Sequence, residues 1–256
     1  KLTTGHSSTV VAVVKTIEKV LWEIKISIKT IKVAVLGFGS IGQSSLSLLL
    51  DKIGHPESIV IVDLESQLTN LQKPIDNLKS KFSGKLEVIG TRDNEMPKEL
   101  FDAQLIIGAS STGLLIDTSR LKKGTILVDD SFPPLIDISS GISKMKKSKD
   151  MLLLGGGKLL LADNQVSQYN NEVPEEIIKP LVKFLGTDGM PGCRAEPLLI
   201  NNNTDLPVTI GLVKDQTAKI FWEECTRLGI EATPLHLGGY VIPENLLSKL
   251  KMKSRP

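Results

Sequence analysis

The chain of 256 residues has little of what would take it outside the ordinary globular class. It holds two cysteines, too few for a disulfide scaffold. No apolar run reaches roughly 18 residues, so no transmembrane helix is expected. The opening stretch KLTTGHSST lacks the layout of a secretory signal. The net charge is only +2, too small to argue for a nucleic-acid partner. Internal repeats and low-complexity tracts are missing as well, and no metal site is expected. These absences leave a soluble, cytoplasmic protein as the expectation. Lys1 is not an initiator methionine, and helix-like sequence follows almost at once, so an upstream part of the protein is expected.

What is there is a core-forming composition. An apolar fraction of 41% excludes global disorder. The length suits one large α/β domain with an accessory lobe. Ser7 and Ser8 are N-cap types ahead of Val10, Val11, Val13, Val14, Ile17, Val20 and Leu21, which recur at helical spacing. Lys15, Glu18 and Lys19 mark the other face, so the spacing predicts a helix over 8–24. Short apolar runs at 31–36, 58–63, 86–89, 104–108, 125–129 and 151–154 read as buried strands. Helical patterns lie between them at 41–51 and at 68–82, the latter interrupted by Pro74. Strands alternating with helices indicate βαβ units and a parallel sheet. Further on, 175–185 looks helical, and 213–228 reads as an amphipathic helix stopped by Gly229. The expected organisation is a lead-in helix over 1–30, a dinucleotide-binding domain over 31–165 and a C-terminal lobe over 166–256.

Gly37-Phe38-Gly39-Ser40-Ile41-Gly42 fits the pattern G-x-G-x-x-G. It follows a predicted strand, opens a predicted helix, and precedes a second strand ending in Asp63, 21 residues after Gly42. That context is the fingerprint of a Rossmann-like, doubly wound parallel sheet that binds a dinucleotide. The glycines permit a tight turn, a close approach of backbone to pyrophosphate, and close packing of helix on strand. The helix N-terminus adds N–H donors and positive potential. An acid at Asp63 accepts both ribose hydroxyls of NAD and repels a 2′-phosphate. No arginine follows in Leu64-Glu65-Ser66, so NADH is favoured over NADPH. Ser110 and Ser111 follow the fourth strand, where loops face the ligand crevice. Two readings stay open for them: contact with the nicotinamide side, or a plain polar turn.

Cys193 sits in Gly189-Met190-Pro191-Gly192-Cys193-Arg194-Ala195-Glu196-Pro197. Proline is tolerated in a first helical turn, so a helix over 195–200 would have to start near Cys193. A thiol at a helix N-terminus is biased toward thiolate, the nucleophilic form. The residues alone fit either that or a buried, inert cysteine. Cys225 falls near the apolar face of the 213–228 helix and reads as core.

Several landmarks now fall in one order. Thr3-Thr4-Gly5-His6-Ser7-Ser8-Thr9 precedes an apolar helix; the strand and glycine loop follow; then come Val128-Asp129 with Pro133 and Pro134, Leu154-Gly155-Gly156, and Met190 to Ile200 with Cys-x-Ala-Glu. In this order the chain resembles the aldehyde-forming long-chain acyl-(acyl-carrier-protein) reductases across nearly its whole length. The resemblance implies that Cys193 takes an acyl group as a thioester and that a nicotinamide cofactor then releases a fatty aldehyde. It matches Glu196 to the family's glutamate, with a catalytic or a helix-capping role. His6 stands where the family has asparagine, and is read either as an added acid/base group or as a helix-end residue. The family's glycine loop is one residue longer and starts G-x-T-G, its cofactor is NADPH, and a region precedes its T-T-G motif; this sequence departs on each point.

The resemblance also implies an acidic acyl carrier protein or acyl-CoA as acyl donor. The run Lys144-Met145-Lys146-Lys147-Ser148-Lys149 and the run over 250–255 carry the positive charge that could steer it, or are a solvated loop and tail. Two other functions compete. One is a non-covalent NAD(P)-dependent dehydrogenase of the shikimate-dehydrogenase or glutamyl-tRNA-reductase type; the other is a dinucleotide-binding protein without turnover.

Overall fold

The computed structural model describes residues 2–92, 95–161 and 189–253. Six strands form one sheet: β1 (Lys32–Leu36), β2 (Ser58–Leu64), β3 (Lys85–Thr91), β4 (Leu105–Gly108), β5 (Ile126–Asp129) and β6 (Leu152–Gly155). Their order is β3-β2-β1-β4-β5-β6, and every pairing is parallel. This is the Rossmann order, with its switch point between β1 and β4. The central strands are continuous Val/Ile/Leu runs because helices cover both faces of the sheet. Val33 shows the register, facing Ile59 on one side and Leu105 on the other.

The first helix, α1 (His6–Ile24), starts two residues earlier than the sequence suggested. Gly5, at φ 75°, is its N-cap, and neither Ser7 nor Ser8 caps it by side chain. Both serines are buried. So is Lys15, at 3% exposure, which the charge pattern had put on the solvent face. Its ammonium lies 4.7 Å from the Trp222 ring centre and 3.5 Å from the Glu231 carboxylate. A cation over an aromatic face can be desolvated at low cost, and periodicity alone does not reveal such a partner.

α2 (Ser40–Lys52) follows the glycine loop. Pro74 falls in the first turn of α3 (Gln72–Lys81), where its missing N–H costs nothing; a 3₁₀ segment, Glu65–Leu71, precedes it. A short α4 (Lys98–Phe101), unmarked by periodicity, leads into β4. The basic run is helical over 144–148 rather than a loop, forming the end of α5 (Ile138–Ser148), with Lys149 as its C-cap. The C-terminal segment contributes α6 (Gly192–Asn202), α7 (Asp215–Arg227) and α8 (Glu244–Lys253). It also adds β8 (Met190–Pro191) and β9 (Glu231–Ala232), which flank β7 (Lys158–Leu160) in an antiparallel sheet. The hairpin β10 (His236–Leu237) and β11 (Tyr240–Val241) completes it. These small strands are too short to leave an alternation in sequence. The helix expected at 175–185 lies outside the described residues.

One hydrophobic core runs through all three segments. α1 packs on α2, α6, α7 and α8 together, so it is buried on nearly all sides. Among the described residues no helix is long and apolar enough to cross a membrane.

Candidate active site

The glycine loop is held from both neighbours of β1. A Cβ on Gly37 would lie 2.7 Å from the Ala109 carbonyl oxygen, so the loops after β1 and β4 touch backbone to backbone. A Cβ on Gly42 would lie 2.0 Å from the Gly37 oxygen, which is why α2 can begin directly on the loop. Gly39 differs: a Cβ there meets nothing within 4 Å. The space above Gly39 is open, and the first turn of α2 presents N–H groups without intrahelical acceptors. This is a cradle for an anionic group. Phe38 contributes only backbone, since its side chain is 1% exposed in the core. Ile41 is half-buried and packs against that core.

Asp63 closes the loop from β2. Its Oδ2 accepts the Phe38 N–H at 2.5 Å and its Oδ1 accepts its neighbour Leu64 N–H at 2.7 Å. Each carboxylate oxygen keeps a lone pair for a ribose hydroxyl. Close by, Arg92 arrives from the end of β3 and pairs with Glu65, an arginine that the stretch 64–66 does not itself supply. The parallel pairing of β2 with β3 brings it there. Ser110 lies on the far side of the loop and is buried, its N–H donating to Ser131 Oγ at 2.9 Å and its hydroxyl 2.8 Å from Thr112 Oγ1. Ser111 is exposed at the same mouth.

The N-terminal turn of α1 joins this loop to the cysteine. A Cβ on Gly5 would lie 2.3 Å from the Cys193 Cα. The next residue, His6, donates from Nδ1 to the Gly211 carbonyl at 2.9 Å and stands 3.4 Å from Ser40 Oγ in the glycine loop. Two consecutive residues therefore touch both candidate centres. Gly192 completes the fit, since a Cβ on it would lie 2.5 Å from the Thr9 Cα. Cys193 is the second residue of α6 and is exposed.

Glu196 is fully buried and has another task. Its Oε2 accepts the Ser8 N–H at 2.9 Å, and its Oε1 accepts the Thr3 hydroxyl. It caps α1 from outside, placing an anion at the positive helix end. That makes Glu196 a positioning residue for the α1–α6 junction, and neither oxygen is left facing the mouth.

No protein-family model and no curated protein matches the chain. Solved structures do resemble it. Shikimate 5-dehydrogenase from Listeria monocytogenes, in complex with shikimate and NAD, aligns at 15% identity and a TM-score of 0.42, over 56% of this chain and 52% of that one. A dipicolinate synthase chain from Bacillus halodurans aligns at 16% and 0.40, over 59% and 48%. L-tryptophan dehydrogenase from Nostoc punctiforme aligns at 16% and 0.40, over 89% and 61%. The chain thus spans about half the length of the first two. At these identities the likeness concerns the fold.

Sequence reading overlooked the strap between α6 and α7. Thr4 N–H donates to the Thr209 carbonyl at 2.8 Å, and Val213 N–H to Ser40 Oγ at 3.1 Å. Thr209 and Val213 face inward, while Val208, Ile210 and Leu212 expose apolar side chains beside the mouth. That alternation is the signal that could have revealed an extended strap.

Proposed function

We propose that this chain reduces acyl thioesters to aldehydes with a nicotinamide dinucleotide, using Cys193 as acyl acceptor. The observation that carries the reading is the pair Gly5–His6, one touching Cys193 and the other standing beside Ser40 of the glycine loop. It supports a single site that uses the exposed thiol together with the anion cradle.

The residues present fit the cofactor. Gly39 and the first turn of α2 would hold the pyrophosphate, and Asp63 the adenosine ribose. The acids Asp63 and Glu65, with Arg92 already paired to Glu65, favour NADH over NADPH. Bound there, the cofactor supplies a hydride to the acyl carbon. The chain does the rest. Cys193 thiolate attacks the donor thioester carbonyl; the acyl–Cys193 C–S bond forms, the acyl–carrier C–S bond breaks, and the carrier leaves as a thiolate that takes a proton from water. N–H groups of the first turn of α6 stabilise the oxyanion. The donor is an acyl carrier protein or acyl-CoA, and the exposed Lys146 and Lys147 of α5 offer charge for docking an acidic carrier.

The test is intact-mass analysis after incubation with acyl-CoA and acyl-carrier thioesters, without cofactor. The parent should gain one acyl mass and Cys193→Ser none. No adduct on the parent, or aldehyde formation by Cys193→Ala at the parent rate, would overturn the reading in favour of a non-covalent dehydrogenase.

A further inference from the structure

Asp129 ends β5 and Asp130 follows it, and the surroundings of the two carboxyls differ. Asp129 is consumed by structure: Oδ1 accepts the Ser131 N–H at 2.9 Å and Oδ2 the Leu135 N–H at 2.8 Å. These bonds hold the turn that leads to Pro133 and Pro134. Asp130 donates its own N–H to the Gly108 carbonyl, but no described donor reaches its carboxyl. It is a half-buried acid at the carboxyl ends of the strands, where ligands of such sheets bind.

Its position relative to the thiol is set by two glycines. A Cβ on Gly157, whose φ is 76°, would lie 1.9 Å from Asp130 Oδ1, so only glycine leaves room for the carboxyl. The Gly157 carbonyl in turn accepts the Gly192 N–H at 2.7 Å. Gly192 opens α6 and precedes Cys193. One residue therefore separates the Asp130 carboxyl from the turn that carries the thiol.

Resting on the thioester reading above, we propose that Asp130 is the general acid that returns a proton to Cys193 when the aldehyde leaves. The acyl–Cys193 thioester receives a hydride from the reduced dinucleotide and becomes a thiohemiacetal alkoxide on Cys193. Its C=O bond re-forms, the C–S bond breaks, and the bonding pair goes to sulfur. The thiolate takes the Asp130 proton, and the carboxylate regains one from water.

Other titratable groups nearby are less suited. Glu196 has both oxygens bonded, and His6 has Nδ1 committed to Gly211. His236 on β10 is held below its usual range by burial and by Lys158, so it is neutral at pH 7. Lys158 on β7 is itself lowered by burial. Arg194 on α6 is always protonated and gives up no proton. Asp129 is the charge that bears on Asp130: burial first, then that neighbour, push the Asp130 carboxyl up to about 8. A carboxyl that keeps its proton at neutral pH is suited to general-acid work.

The experiment compares the parent with Asp130→Asn by intact mass and aldehyde release across pH, and titrates the parent's ¹³C-labelled aspartates. We expect the variant to form the Cys193 adduct to the parent's extent. Aldehyde release should slow by about 100-fold, with the adduct persisting after NADH is added. Parent release should fall as pH rises through about 8, and the variant's residual rate should lose that limb. Should the variant fail to fold, the titration decides: a carboxyl with a midpoint near 8 supports the proposal, and none above the ordinary range overturns it. A variant that releases aldehyde at the parent rate overturns the role of Asp130 alone. A parent that never forms the adduct overturns this role together with the thioester reading.

Discussion

The first turn of α6 and the last turn of α7 each carry one of the two cysteines, under opposite conditions. Cys193 stands at a helix N-terminus, exposed, with glycines at positions 5 and 192 bringing α1 up against its backbone. Cys225 stands near a helix C-terminus at 0% exposure, and burial pushes its thiol up to about 12. One thiol is open to solvent and the other is closed off from it, although the two residues are identical.

The strongest way to break this contrast is to remove each thiol. Cys193→Ser should abolish acyl-adduct formation and aldehyde release, leaving NADH affinity within about twofold. Cys225→Ser should keep both activities; the reverse pattern, read by intact mass and fluorescence titration, would sink the assignment. Next comes native labelling with iodoacetamide at pH 8. Cys193 should react at least about 100-fold faster than Cys225, whose thiolate fraction there is on the order of one in ten thousand. Equal rates in a peptide-mapping time course would contradict the burial of α7.

Smaller effects should sharpen the contrast by disturbing what presents Cys193. Gly5→Ala adds a Cβ 2.3 Å from the Cys193 Cα at a positive φ. It should cost about 3 kcal/mol and lower Tm by about 8 °C in calorimetry. Glu196→Ala leaves the buried Ser8 N–H without its acceptor and should cost about 2 kcal/mol by urea unfolding. The smallest change lies away from both cysteines. Asp63→Asn should shift the ratio of NADPH to NADH affinity toward NADPH by about tenfold, or 1.4 kcal/mol, with labelling of Cys193 unaltered. An unchanged ratio in paired titrations would remove Asp63 from cofactor selection.

Much of the sheet could be read directly from residues. Runs such as Ile59-Val60-Ile61-Val62 are apolar on both faces because central parallel strands are covered on both faces. The glycine loop was legible too, because close backbone approach leaves glycine as a visible mark. Glu196 was legible as a residue to watch, but not as a cap. Its partners Thr3 and Ser8 lie 193 and 188 residues away. Asp130 passed unnoticed because nothing in the doublet Asp129-Asp130 tells which carboxyl meets two N–H donors and which meets a glycine. The strap over 208–213 was missed for a related reason, its hydrogen bonds going to α1 and α2 rather than to a neighbouring strand.

The sequence by itself determined the strands, the glycine turn and the acid that ends β2, because these depend on local periodicity and on residues that tolerate few backbone shapes. Only the tertiary structure decided which distant residues pack against one another. That decision was made by packing: α1 can lie this close to α6 only where Gly5 and Gly192 remove a Cβ from the contact. The approach sets Cys193 against Gly5 and turns Glu196 into a helix cap, and among the described residues no donor reaches the Asp130 carboxyl. Such long-range proximity is a property of the packed core, and neither spacing nor composition encodes it in readable form.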